Sequence, residues 1–554
     1  MYQPEPQSRS FSALMNDIET GRVKIPQFQR DFVWTKEKSA QLIDSIIKGF
    51  PIGTFILWQT KEELRSVRNL GDVVLPPTPS GEYTQHVLDG QQRLTSLFAA
   101  VKGLKVKRDE RIDDFSKIFV RLNARKGEHI VTADYEGMSE DDVIPVATLV
   151  SAGLSDLSRY PQEYHHLLDR YKQRFTSYAF SVVMVNHAPL DIATEIFTRI
   201  NVTGKPLTVF EIMVAKTFDR PREFDLAEKY GALKDKLTQV SYETLPSATV
   251  LQTVAAIMKG ECGKRDILRL HKDQFINVWP RAETAIFSAV DYFRAQFRIP
   301  VSRLLPYAAL VVPFAYFFYH HKNNPTGETQ RQMANLFWRV SLGGYYSHSL
   351  ETRLAQDIKR VNEILSGKPA HYDYPVDISC DFITENGWFN AGRSFIKAIL
   401  CVLAYHHPRS FDTDNLVTIS NDWLRRANSK NYHHFFPKAY LKSKNYNEWE
   451  INHIVNITIV DEFLNKSVIK AKPPSVYMTP FKNDNGNLES TMETHLIKVI
   501  TDRLWDNDYR LFFKNRCKRL SEELEQRIIP QARDSSGQAI RTDDFDESSI
   551  TEDD

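Results

Sequence analysis

The stretch Asp89-Gly90-Gln91-Gln92-Arg93 constrains the fold more tightly than any other part of the chain. Residues 83–88 read as a short strand through Tyr83, Val87 and Leu88. Leu94, Leu97, Phe98 and Val101 then recur at the spacing of one helical face. Asp89 and Gly90 are left at a sharp strand-to-helix turn, and Gly103 is placed to stop the helix. Helix N-termini carry unpaired N–H groups and a positive partial charge, so they attract phosphate. Arg93 adds a permanent guanidinium in the first turn, and Gln91 and Gln92 add neutral donors and acceptors. The structural alternative is an ordinary helix start with polar residues in its first turn, and the pattern alone does not separate the two.

Two further blocks lie on either side of the turn. Ile25-Pro26-Gln27-Phe28-Gln29-Arg30-Asp31-Phe32-Val33-Trp34 is upstream, and Phe197-Thr198-Arg199-Ile200-Asn201-Val202-Thr203-Gly204-Lys205-Pro206-Leu207 is downstream. The three blocks, in this order, resemble the DGQQR-motif ParB/sulfiredoxin-like domains of GmrSD- and SspE-type restriction proteins, which act on modified DNA. The resemblance implies a nucleoside triphosphate (GTP or ATP) bound or hydrolysed at Asp89, Gly90, Gln91, Gln92 and Arg93. It also implies that Arg30, Arg199 and Asn201, from the other two blocks, converge on that pocket. It assigns Phe28, Gln29 and Arg30 to sensing DNA. The phosphorothioate-sensing branch carries Tyr where this chain has Phe28, which leaves base modifications open. For Arg30 and Arg199 the structural alternative is ion pairing inside the domain. No Walker-type Gly-x-x-x-x-Gly-Lys-Ser/Thr exists, since Gly204-Lys205, Gly263-Lys264 and Gly367-Lys368 all fail the pattern.

Composition narrows the class further. A chain of 554 residues is long enough for several domains. The longest apolar run, 304–319, contains Pro306 and Pro313 and is too short to cross a bilayer, so it reads as a buried helix. Cys262, Cys380, Cys401 and Cys517 lie far apart with no Cys-x-x-Cys pair, which suits a reducing cytoplasm rather than a zinc ribbon or disulfide framework. Net charge is +1, yet residues 541–554 hold seven acids and one base, leaving +7 on the remainder. Lys102-Lys105-Lys107-Arg108-Arg111 and Lys514-Arg516-Lys518-Arg519 are weak candidates for phosphate contacts, because charged runs are usually solvated faces.

Periodicity along the chain predicts a multidomain, mostly helical α+β protein. Residues 1–220 read as an α/β domain, with helices beginning at Phe11, around Leu42 to Phe50, and over 191–200. Strands are predicted over 54–58, 118–122 and 179–185, and Thr208 with Glu211 forms a capping box. Residues 221–400 read as a helical connecting region, and 531–554 as an acidic tail expected to be disordered. Two histidine pairs, His320-His321 and His406-His407, are read as surface or helix-end residues, because adjacent side chains point apart and cannot cage an ion.

A third pair stands apart. Asn431-Tyr432-His433-His434-Phe435-Phe436-Pro437-Lys438 is followed by Asn456 and Asn465. This segment resembles the HNH (ββα-metal) nuclease domain commonly fused to DGQQR proteins, and it defines a C-terminal domain over 401–530. The resemblance implies that His434 is the general base and that Asn456 braces the hairpin that aims it. It makes His433 and Asn465 ligands of Mg²⁺ or Mn²⁺. An imidazole with a pKa near 6.5 suits base catalysis at neutral pH, and a divalent cation stabilises developing phosphate charge. Many HNH nucleases have Asp at the first position and His at the last, so this donor set carries no anionic ligand. The expectation is a cytoplasmic, nucleotide-regulated nuclease of modified DNA, with a homo-oligomer open and no membrane association. The alternative is a DNA-binding regulator with an inactive HNH fold.

Overall fold

The computed structural model describes residues 3–26, 32–61, 64, 66, 69–70, 73–79, 81–108, 111–200, 208–421, 424, 432–460 and 471–535. The chain divides into two compact units, Met1–Leu226 and Ala227–Asp554.

The first unit is built on a five-stranded mixed sheet. Its strands are β1 (Glu5–Ser10), β2 (Val23–Lys24), β3 (Phe55–Thr60), β4 (Thr84–Asp89) and β5 (Ala179–Asn186), in the spatial order β1-β5-β3-β4-β2. The pairs β5–β3 and β4–β2 are parallel, whereas β1–β5 and β3–β4 are antiparallel. β1 has no apolar alternation and contains Pro6, which edge strands tolerate because one side of the backbone needs no partner. It was therefore invisible to a hydrophobic-pattern reading. The helices are α1 (Phe11–Glu19), α2 (Lys36–Lys48), α3 (Gln91–Lys102), α4 (His165–Thr176), α5 (Leu190–Ile200) and α6 (Val209–Thr217). α2 and α3 end at Gly49 and Gly103, both left-handed, which a residue with a Cβ adopts only with strain. The Thr208–Glu211 capping box forms at the start of α6.

The core of this unit explains why α3 sits where it does. Leu94, Leu97 and Phe98 join Ile43, Ile46 and Ile47 of α2 and Phe55, Leu57 and Val87 of the sheet in one buried cluster. Ser39 and Ser96 share a 2.9 Å hydrogen bond within the α2–α3 contact, pairing two hydroxyls that burial would otherwise penalise. Register between β3 and β4 slips between Ile56 and Leu57, so that Leu57 faces Val87 and Ile56 faces Asp89. An irregularity of this kind bends the strand and re-aims the residue beyond it, which here is Asp89.

The second unit is mainly helical up to residue 405, with α7 (Ser247–Lys259), α8 (Lys272–Gln296), α9 (Val311–His320), α10 (Gly327–Leu342), α11 (Leu350–Leu365) and α12 (Ser394–Tyr405). α9 comes from the long apolar run. It is buried from Val311 to Phe318 and packs on α7, α8 and α11, so its all-round apolar surface is that of a central helix. Among the described residues no helix is long and apolar enough to cross a membrane. Beyond α12 come strand β6 (Tyr432–His434), short helices α13 (Lys438–Ser443) and α14 (Glu448–Ile451), strand β7 (Ile457–Ile459) and helix α15 (Tyr509–Glu525).

Residues 528–535 run back across the helices as a strap. Ile529 N–H donates to Asn335 Oδ1 at 2.8 Å, and Arg339 donates to the Ile529 carbonyl at 2.9 Å. Asp534 accepts from Arg339 Nη1 at 3.1 Å and from the backbone N–H groups of Val376 and Gln531. The acidic run 541–554 lies outside the described residues.

Candidate functional site

The turn at Asp89–Arg93 has the predicted geometry. Gly90 lies at φ 91° as the N-cap of α3 and, having no side chain, supplies no side-chain cap of its own. A Cβ on Gly90 would stand 2.5 Å from the Phe55 ring, so packing as well as φ demands glycine. Arg93 is engaged within the domain. Its Nη1 donates to the Ile52 carbonyl at 2.8 Å, and Nη2 donates to the Thr54 carbonyl at 3.0 Å and to Asp89 Oδ2 at 3.1 Å. Gly53 lies at φ 89°, and a Cβ there would meet Arg93 Nη1 at 2.3 Å. Arg93 therefore clamps the 52–54 segment to the helix start, a role that spacing in the sequence did not reveal.

The upstream block meets the same turn. Gln92 Oε1 accepts from the backbone N–H groups of Val33 (2.9 Å) and Trp34 (3.3 Å), and Phe32 packs on Phe115. Phe28, Gln29 and Arg30 lie outside the described residues, but the chain that follows them is fastened to the helix start by Gln92. The downstream block is placed differently. Arg199 is exposed and pairs with Glu195 one turn back on α5 at 2.7 Å. Among the described residues of that block Phe197 is buried, and Asn201 lies outside the described residues.

The histidine pair lies on a two-stranded hairpin, β6 antiparallel to β7, with His433 opposite Thr458 and His434 opposite Ile457. Successive residues of a strand face opposite ways. His433 is buried near the rings of Tyr477 and Phe411, while His434 is only half-buried on the other face. Asn456 is fully buried. Its Oδ1 accepts from Phe436 N–H at 2.8 Å, and its Nδ2 donates to the carbonyls of Phe436 (3.0 Å) and Ile451 (3.2 Å). Tyr477 hydroxyl donates to the Phe435 carbonyl at 2.7 Å, so the two residues after His434 are each held by a side chain.

Asn452, to which the sequence reading gave no role, lies against His434. Its Nδ2 donates to the Phe389 carbonyl at 3.1 Å, and its Oδ1 lies 3.1 Å from His434 Nε2. A carbonyl only accepts, so the first bond fixes which end of the amide is oxygen. That oxygen in turn needs a proton on His434 Nε2. The lone pair is thereby left on Nδ1. Burial, followed by the positive charge of Lys438, pushes the His434 pKa down to about 4, against a smaller opposing effect of Asn452. The imidazole is neutral at pH 7, which is the form that can take a proton. Only the spacing of Asn452 and Asn456, four residues apart before β7, hinted at a second structural amide.

The described residues assemble no group of three or more His, Cys, Asp or Glu able to hold a metal ion. His433 supplies one imidazole, and Asn465, the second expected ligand, lies outside the described residues. By themselves the described donors do not fit a hard divalent cation, which prefers several oxygen ligands and charge. The C-terminal basic cluster is also not a surface patch. Arg516 is fully buried and donates to the carbonyls of His495 and Val455, and Arg519 pairs with buried Asp502. Lys514 and Lys518 remain on the surface.

Residues 11–218 match the family described as "GmrSD restriction endonuclease, N-terminal domain". This supports a GmrSD-type restriction-protein domain over the sheet unit and its three blocks. A curated relative, an uncharacterized protein of Methanocaldococcus jannaschii, is 22% identical over 572 residues, covering 93% of this chain and 94% of the relative.

Proposed function

We propose that this chain is a nucleotide-regulated DNA endonuclease of modification-dependent restriction, which nicks or cleaves DNA at the β6–β7 hairpin. The observation that carries the reading is the Phe389–Asn452–His434 relay, which presents a neutral imidazole with its lone pair on Nδ1, in a chain that also bears a GmrSD-type N-terminal domain. In phosphodiester hydrolysis Nδ1 takes the proton of the attacking water. Asn452 holds the ring in the tautomer that makes this possible, and Asn456 and Tyr477 fix the backbone beyond it.

The test is to incubate the protein with modified and unmodified plasmid, each divalent cation and each NTP. Nicking that requires His434 and is stopped by a chelator supports the reading. DNA binding with no cleavage under any condition supports the second reading, a regulator with an inactive hairpin.

Asn452→Asp gives a sharper check. A carboxylate beside Nε2 stabilises the imidazolium and so raises the His434 pKa. In the wild type the acid limb of kcat/KM is expected near pH 4, with activity level between about pH 5 and 8. In Asn452→Asp the limb should move upward by at least a unit. An unchanged limb would remove Asn452 from the relay.

We assign nucleotide to the start of α3, where Gly90 supplies no side-chain cap and the helix N-terminus carries positive partial charge. Arg93→Ala frees the 52–54 segment and strands Asp89 without its cation. It is expected to abolish NTP binding and to lower the melting temperature of the N-terminal unit. Calorimetry with unchanged NTP affinity would move the nucleotide site elsewhere.

A further inference from the structure

The β6–β7 hairpin presents a base but, among its described donors, no positive charge to hold the phosphate that His434 would serve. Lys438 answers that need by position. It is the first residue of α13, four residues after His434, and the chain between the two is fixed at each step. The Phe435 and Phe436 rings are buried against Phe512 at centroid distances of 5.3 and 5.0 Å, and Pro437 is buried as well. Tyr477 holds the Phe435 carbonyl, and Asn456 holds both backbone groups of Phe436. Placement of Lys438 relative to His434 is therefore set by packed core rather than by a loop.

The neighbouring lysines are otherwise engaged. Lys442 pairs with Glu448 at 2.6 Å, and Lys444 lies over the Tyr440 ring at 5.9 Å. Lys438 is exposed, and no carboxylate lies within ion-pair distance of it among the described residues. Lys438 thus makes no close ion pair, although Glu448 feels its charge, and the exposed ammonium is open to an incoming anion. Its charge is felt at His434, where it helps hold the ring neutral.

We infer that Lys438 is a catalytic residue of the hairpin, whose ammonium binds a non-bridging oxygen of the scissile phosphate while His434 Nδ1 deprotonates the water. This rests on the hairpin being a phosphodiester-hydrolysing site. Attack by water forms the new P–O bond and breaks the bond to the leaving oxygen, which departs with its electron pair and takes a proton from solvent. The proton of the water passes to His434, and the extra negative charge gathers on the oxygens facing Lys438. A lysine serves phosphate as a point charge, so an arginine at the same place should serve in part.

The experiment compares full-length wild type, His434→Ala, Lys438→Ala and Lys438→Arg in single-turnover nicking at saturating plasmid, with melting temperatures alongside. Lys438→Ala is expected to lose on the order of 10²-fold in rate at saturation. Lys438→Arg should recover most of that loss, and both should melt like wild type because the side chain is exposed. A rate unchanged in Lys438→Ala, with wild type active and His434→Ala dead, would overturn the role of Lys438 and leave the nuclease reading intact. A loss matched by a lower melting temperature and not recovered by arginine would make Lys438 structural and overturn it too. Absence of His434-dependent nicking in the wild type would overturn the nuclease reading and this inference together.

Discussion

His434→Ala is expected to lower the rate of plasmid nicking by roughly 10²- to 10⁴-fold, the range that a positioned general base contributes. The effect is large because the site fixes the ring's tautomer and position, although a pKa of about 4 makes it a weaker base than the imidazole near 6.5 expected from the sequence. Asn452 holds Nε2–H, burial keeps the ring uncharged, and the strand turns His434 away from the core that takes His433. DNA affinity should change little, since the imidazole carries no charge at neutral pH. His434→Ala also removes few packing contacts from a half-buried position, so the variant should fold and can be compared at equal DNA occupancy. A folded His434→Ala protein that nicks at the wild-type rate would remove the hairpin as the site of cleavage. His433→Ala is the control for neighbouring position: its ring lies against Phe411 and Tyr477, so its loss should also register as a change in stability.

The second large effect concerns the strap at 528–535. Arg339 has no exposed side-chain surface and pairs with Asp534, which receives two backbone N–H groups as well. Asp534→Ala leaves a buried guanidinium with no counter-charge and two N–H groups with no acceptor. The expected cost is about 3–5 kcal/mol of the stability of the second unit. Urea unfolding reports it as a lower midpoint at unchanged slope. Adding Arg339→Met to Asp534→Ala removes the stranded charge and should restore part of the loss. Truncation at residue 527 should be as damaging as the single substitution, whereas truncation at 535 should be mild. Burial works against the Asp534 carboxylate, but Arg339 and the two N–H groups outweigh it and hold its pKa below the usual value. The pair's contribution is therefore full above the ordinary aspartate pKa near 3.8 and is lost as pH falls through the lower, folded value. A melting series that loses this contribution already between pH 7 and 5 would contradict the ion pair.

Local pattern in the sequence carried a good deal of this protein. The glycines at 90 and 103, the apolar period between them and the strand before them specify the strand–turn–helix at Asp89–Arg93, because each signal acts within a few residues. The same holds for the capping box at Thr208 and for the buried helix cut from the 304–319 run. Tyr432–His434 could be singled out only because its two histidines, the proline after them and the spaced asparagines resemble a known nuclease pattern.

What the sequence left undetermined was which distant group each polar side chain meets. Arg93 finds the carbonyls of Ile52 and Thr54 about forty residues away, and Asn452 finds Phe389 sixty-three residues away. Arg516 and Arg519 look like surface charge beside Lys514 and Lys518, yet helix α15 turns them toward buried carbonyls and Asp502. The polar strand Glu5–Ser10 exists because β5 offers it an edge, not because its own residues favour extension. Each of these outcomes is a choice of partner made when the core closes. A buried donor must find an acceptor somewhere, and the spacing of residues along a chain does not say where.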